Sequence, residues 1–187
     1  MRATHSPASP PAPIDLGDAD LGDALRHAMR HVASPVTVVT AASGPTATEA
    51  VVRGATIGSF TSVSLDPPLV SFNVIRGTGL HGVLETAEAF CVHLLHAGQA
   101  HLATHFAVPD LTSAEQLATV PHRLNDAGVP VLDGAMGVFH CRAWARHRAG
   151  DHDLILGEVT RVEGGSGAEP LLYYARSYRT VGEVPLD

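Results

Sequence analysis

Gly54, Thr56, Gly58, Ser59, Thr61, Ser62 and Ser64 crowd seven glycine or hydroxyl positions into the sixteen residues 54–69. Such a segment can form a wall of backbone amides and small hydroxyls that lies flat against a polar, planar ligand. Bulky side chains would hold a ring away from the backbone, so small residues suit that use. The same composition also suits a turn-rich sheet edge.

A second segment, Gly77-Thr78-Gly79-Leu80-His81-Gly82, is a literal GxGxxG that follows an apolar run and opens a helical one. A dinucleotide fold of that type needs an acidic residue about 20 positions on, at the end of the next strand. Here that stretch reads His93-Leu94-Leu95-His96-Ala97, and parallel strands do not follow. A narrower use remains, because a glycine-rich turn exposing N–H groups at a helix start can receive an anion such as a cofactor phosphate.

Two other groups carry chemistry without a complete pattern. His93, His96, His101 and His105 include an i, i+4 pair, but neither HExxH nor a completing Cys or Asp accompanies it, so a solvated helix face is expected and no metal site is assigned. Cys91 lies near His93 but between Phe90 and Val92, where a buried, inert thiol is expected. There is no GxSxG nucleophile turn.

The elements that must position these residues follow from periodicity and turn signals. Leu16, Leu21, Leu25, Ala28, Met29 and Val32 predict a helix over 15–32, stopped by Pro35. Strands are expected at 36–40, from 49 to 53, on either side of a turn within 54–69, and at 69–75, 90–95, 135–148, 153–163 and 171–174. Helices are expected at 78–89 and 97–106. Pro109, Pro121, Gly128 and Pro130 mark 107–130 as mostly loop. The turn Ala149-Gly150-Asp151 makes 135–148 and 153–163 an antiparallel hairpin. That argues against a wholly parallel sheet and for a mostly antiparallel barrel with helices over its openings.

The 187 residues amount to about one domain, with 45% hydrophobic and 17% charged residues. Residues 1–14 are Pro-rich and predict a disordered tail, leaving 15–187 as the domain. The net charge of −7 speaks against nucleic acid as partner. No apolar run is long enough for a membrane span, and Arg2 is followed by no apolar stretch. Two cysteines fit reduced thiols in the cytoplasm.

GATIGSFTSVSLDPPLVSFNV resembles the signature of the flavin reductase-like, FMN-binding split-barrel family, G-x-T-x-N-S-F-x-S-V-S-x-x-P-P-L. The likeness continues in order through Val36-Thr37-Val38-Val39-Thr40, Phe90-Cys91-Val92-His93-Leu94-Leu95, Gly150-Asp151-His152, Gly157-Glu158-Val159, Pro170-Leu171-Leu172-Tyr173-Tyr174 and Tyr178. It spans roughly 20–180 and is nearest to the short-chain NAD(P)H:flavin reductases that serve two-component monooxygenases.

The resemblance implies a mainly β protein, a six-stranded antiparallel split β-barrel with peripheral helices, assembled as a homodimer. It implies an NADH-dependent flavin reductase that hands reduced FAD (or FMN) to a flavin-dependent monooxygenase. By position, flavin would meet Gly54, Ala55, Thr56, Gly58 and Ser59 at its ring and ribityl chain. Asn73, Val74, Thr78, Gly79 and Leu80 would form the far wall and phosphate end. His152 matches a histidine near the nicotinamide and is the expected catalytic residue. The sequence departs from the family at Gly58 (usually Asn), at Gly79 (often Arg) and at Leu80 (usually Thr or Ser). Arg176 stands one place late in the C-terminal Tyr-x-Arg-Gly pattern. A split-barrel oxidoreductase with permanently bound FMN, or a flavin- or haem-storage protein, would also fit the resemblance.

Overall fold

The computed structural model describes residues 20–44, 50–109, 111–164 and 167–182. The expected tail at 1–14 lies outside the described residues. In chain order come α1 (Leu21–Met29), β1 (Ser34–Pro35), β2 (Thr37–Ser43), β3 (Val51–Ile57), β4 (Thr61–Leu65), β5 (Pro68–Ile75) and α2 (Gly79–Leu84). β6 (Ala89–Leu94), a 3-10 turn (Ala97–Gln99), α3 (Ala100–Phe106) and α4 (Ser113–Leu117) follow. β7 (His122–Leu124), β8 (Pro130–Leu132), β9 (Gly137–Ala149), β10 (His152–Gly164), β11 (Leu172–Tyr174) and β12 (Ser177–Arg179) complete the order.

The fold is mainly β. Its principal sheet runs β3-β2-β6-β9-β10-β5-β4, every neighbouring pair antiparallel. That is seven strands, not the six expected. Six of them, β3 through β5 in sheet order, send side chains into one core: Ile57, Val39, Phe90, Cys141, Ile155 and Phe72, capped by Leu80, Val83 and Leu84 of α2. The seventh, β4, buries none of its residues and pairs only along β5. The core therefore belongs to six strands, and the added one is an edge folded back through the Asp66–Pro67 turn.

A second apolar cluster lies on the other side of β2 and joins Val36, Val38 and Leu95 to Leu102, Ala103 and Phe106 of α3. Thr37 through Ala41 are consequently fully buried on both faces. Their polar groups are satisfied inside: Thr37 Oγ1 donates to the Ile57 carbonyl at 2.8 Å and Thr40 Oγ1 to the Pro130 carbonyl at 2.6 Å.

Several expected boundaries shift. Among the described residues the first helix runs from Leu21, with Asp20 as its cap accepting from the Gly22 N–H at 2.9 Å. The helix expected over 78–89 stops at Leu84, because the chain must turn there to enter β6 at Ala89. Residues 97–99 form a 3-10 turn ahead of α3. The expected loop at 107–130 holds α4, opened by a Thr112/Glu115 capping box, and β7, paired with β8 around a turn held by Asn125. The last strand is a hairpin, β11 with β12, across Ala175 and Arg176, both at positive φ.

Candidate functional site

A cleft of about 810 Å³ opens between β3, the end of β5 with the turn into α2, and the segment joining α3 to α4. All eleven residues expected at the site line it: Gly54, Ala55, Thr56, Gly58, Ser59, Asn73, Val74, Thr78, Gly79, Leu80 and His152. Their shares differ. Val74 and Leu80 are 3% exposed and belong mainly to the core, whereas Gly58, Ser59 and Asn73 are exposed.

The wall at 54–59 is held from behind. Gln116 of α4, itself buried, clamps Gly54 on both sides, its Oε1 accepting from the Gly54 N–H at 2.9 Å and its Nε2 donating to the Gly54 carbonyl at 3.0 Å. Position 54 must be glycine, because a Cβ there would stand 2.7 Å from the Phe106 ring. Thr56 Oγ1 donates to the Ala103 carbonyl at 2.7 Å, so its proton is already used by α3. Ser59 Oγ accepts from the Asn73 N–H at 2.9 Å and ties the turn after β3 to β5. Gly58 is open: a Cβ would meet Ser34 and Pro35 only at ordinary contact distance.

The turn 77–80 closes the other end. Gly77 has φ +80°, and Thr78 caps α2, donating its hydroxyl to the Ile75 carbonyl at 2.8 Å. His81 sits beneath it, 6% exposed. Its Nε2 donates to Asp153 Oδ2 at 3.1 Å, and its Nδ1 accepts from the Gly77 N–H at 3.3 Å. Asp153 also takes Arg76 at 2.9 Å. Burial raises the Asp153 pKa, but the hydrogen bonds from His81 and Arg76 outweigh it and hold the carboxyl below its ordinary value.

His152 begins β10, beside the Gly150 turn (φ +65°), and pairs with Ile75 across the sheet. Its side chain is 38% exposed and its Nδ1 lies 2.7 Å from Asp151 Oδ1. That hydrogen bond holds the Asp151 pKa down and orients the ring, leaving Nε2 for a ligand.

The other histidines and cysteines are employed elsewhere. His93 Nδ1 donates to the Val38 carbonyl at 2.9 Å and its Nε2 accepts from the Leu132 N–H at 3.1 Å. His96 caps the 3-10 turn, and His105 Nε2 donates to the Gln116 carbonyl at 2.9 Å. Among the described residues no group of three His, Cys, Asp or Glu side chains is placed to hold a metal ion. Cys91 has His140, not His93, as its partner, at 3.5 Å, and burial pushes its thiol up to about 12, which leaves it protonated and unreactive.

Sequence reasoning missed Arg53, Phe106 and Gln116, which also line the cleft. The capping pattern Thr112-x-x-Glu115 was the available signal for the short helix that carries Gln116. Nothing local marks Arg53 or Phe106, which are positioned by packing.

The chain matches the family model described as "Flavin reductase like domain" over residues 29–182. It is 37% identical over 151 residues to the FMN reductase (NADH) SmoA of Agrobacterium fabrum, covering 80% of each chain. It is 38% identical over 157 residues to the reductase component of 4-hydroxyphenylacetate 3-monooxygenase from Thermus thermophilus, covering 84% of this chain and 95% of that one. Among solved structures it superposes with a TM-score of 0.80, at 32% identity, on the NADH:FAD oxidoreductase SgcE6 of Streptomyces globisporus C-1027 in complex with NAD and FAD fragments. That likeness covers 92% of this chain and 98% of the other.

Proposed function

The chain belongs to the flavin reductase-like domain family, and on that footing we propose that it is an NADH-dependent flavin reductase acting on free FAD or FMN. Two electrons and one proton pass as hydride from C4 of the nicotinamide to N5 of oxidised flavin, leaving NAD⁺. The reduced flavin takes a further proton from solvent and is released to a flavin-dependent monooxygenase.

What carries this reading is a single cleft in which 54–59, 73–80 and His152 meet. Its 810 Å³ lies toward the upper end of ordinary ligand pockets, which suits two stacked planar rings. The glycine and hydroxyl wall receives the flavin ring lying flat against its backbone amides. Gly54 stays in place because Gln116 holds both of its backbone groups. The phosphate end is taken by the turn at 78–80. His152, oriented by Asp151, presents its free edge to the nicotinamide. Since the two rings supply the redox chemistry, the protein's share is to align them and exclude water between them.

The same reading places residues 15–187 in one domain, in a homodimer, in the cytoplasm where NADH is held. The dimer is supported by α1, whose Leu21, Leu25 and Met29 recur at helical spacing while none of its residues is buried. Leu65 on β4, 91% exposed, is a second uncovered apolar side chain. No described helix is long and apolar enough to cross a membrane.

The test is to purify the protein, measure its flavin content, and follow NADH oxidation with FAD, FMN and riboflavin each added in turn. Flavin-free protein that oxidises NADH only when flavin is supplied is the expected result. Protein with stoichiometric flavin that consumes NADH only with an organic acceptor would indicate a bound-FMN oxidoreductase. Flavin-loaded protein inert to NADH would indicate storage.

A further inference from the structure

The turn Gly77-Thr78-Gly79-Leu80 holds no cation, so the phosphate end of the cleft lacks one from its own turn. The structure fills that space from a different strand. A Cβ built on Gly79 would stand 2.9 Å from Arg53 Nε and 3.1 Å from Arg53 Cδ. The Arg53 side chain, from β3, therefore lies across the turn 78–80, occupying the room a side chain at 79 would need.

Three observations make Arg53 more than a packing residue. Among the described residues lining the cleft it is the only one with a permanent charge. Its guanidinium is held from one side: Nη1 donates to the Val52 carbonyl at 2.9 Å and to Ser113 Oγ, and Ser113 Oγ in turn donates to the Val52 carbonyl at 2.7 Å. That anchoring leaves the Nε–Nη2 edge without a hydrogen-bond partner among the described residues, and Nε is the atom nearest Gly79. A planar edge with two parallel N–H groups matches a phosphate bidentately, and a pre-positioned guanidinium loses little freedom on binding.

We infer that Arg53 is the residue that binds the flavin's phosphate, so that phosphorylated flavins, FMN and FAD, are preferred over riboflavin. This rests on the flavin reductase reading above. The cation comes from β3, with α4 supplying the Ser113 that aims it.

The test is equilibrium binding of riboflavin, FMN and FAD to the full chain and to three variants, Arg53→Gln, Arg53→Lys and the double variant Arg53→Gln/Gly79→Arg. Wild type should bind FMN more tightly than riboflavin by about tenfold or more, as expected for a charge-assisted pair, and the ratio should shrink as salt is raised. In Arg53→Gln the ratio should fall toward one. Arg53→Lys should recover part of it, and the double variant, which restores a cation at 79 while freeing its space, should recover more. A riboflavin/FMN ratio unchanged in Arg53→Gln overturns the assignment. So does an effect confined to the KM for NADH with riboflavin as acceptor, which would assign Arg53 to the NADH pyrophosphate. If wild type binds and reduces no flavin, the parent reading fails, and this one with it; flavin reduction with an unchanged ratio removes Arg53 alone.

Discussion

His152 and His93 are both histidines on a sheet, and their surroundings assign them opposite work. His152 stands at a turn with one nitrogen tied to Asp151 and the ring over a third exposed. If it positions nicotinamide, His152→Ala should lower kcat/KM for NADH by about tenfold or more, roughly 1.4 kcal/mol, while flavin affinity holds. Initial rates across NADH concentrations and flavin binding on one preparation check this; a stable variant with unchanged kcat/KM removes His152 from the site. His93 is fully buried, and burial pushes its pKa from 6.5 down to about 4. The folded state therefore requires the neutral ring. That contribution is complete above pH 6.5 and is lost as pH falls toward 4, at about 1.4 kcal/mol per pH unit. Urea unfolding from pH 7 to 4 should show this slope, and a His93→Asn variant, although less stable, should show a flatter one. The sequence placed His152 by its Gly150-Asp151 context and grouped His93 with histidines expected on a solvated helix face, whereas it is buried within β6. The difference is made by Val38 and Leu132, which are distant in the chain and close only in the fold.

At the level of elements, the strands were legible where a single periodicity governed them. The β9–β10 hairpin and the buried β5 follow directly from alternation, apolar runs and the Gly150 turn. The elements that the sequence hid are short: α4 has five residues, and β7 and β8 have three each. Segments of that length give no periodic signal and are stabilised by what they touch, as Gln116 is by Gly54. The same dependence on packing appears at Gly157, where β10 shifts register against β9. A Cβ there would stand 2.2 Å from Phe90 Cζ, and Phe90 is fixed in an edge-on contact with Phe72 at 5.4 Å. Gly157→Ala should cost about 1–3 kcal/mol through overpacking, and Phe90→Leu in the same chain should recover part of it. Chemical unfolding of the single and double variants checks this; an unchanged midpoint for Gly157→Ala would mean that the strand moves freely away from Phe90.

For the molecule as a whole, the strand pattern, the antiparallel hairpin and the ordered set of motifs pointed to the mainly β class, while the principal sheet has seven strands where six were expected, the extra edge strand β4 burying none of its residues. The candidate cleft was legible in its backbone parts, because small residues and a glycine turn leave a local signature. Its supports, Arg53, Phe106 and Gln116, were not, because each reaches the cleft from a segment whose own sequence serves another purpose. The exposed apolar stripe of α1 leads to an expected mass of about 39 kDa in solution, twice the 19.5 kDa chain. Light scattering at micromolar protein checks it, and a fully active monomer would contradict it.

The central claim is that flavin passes through this cleft as a substrate. The most direct measurement is anaerobic mixing of a small amount of protein with excess NADH and excess free FAD or FMN, counting the flavin bleached per protein chain. The account expects many equivalents of flavin to be reduced per chain, with one NADH consumed for each. Bleaching that stops at one equivalent per chain, or NADH left unconsumed, would contradict it.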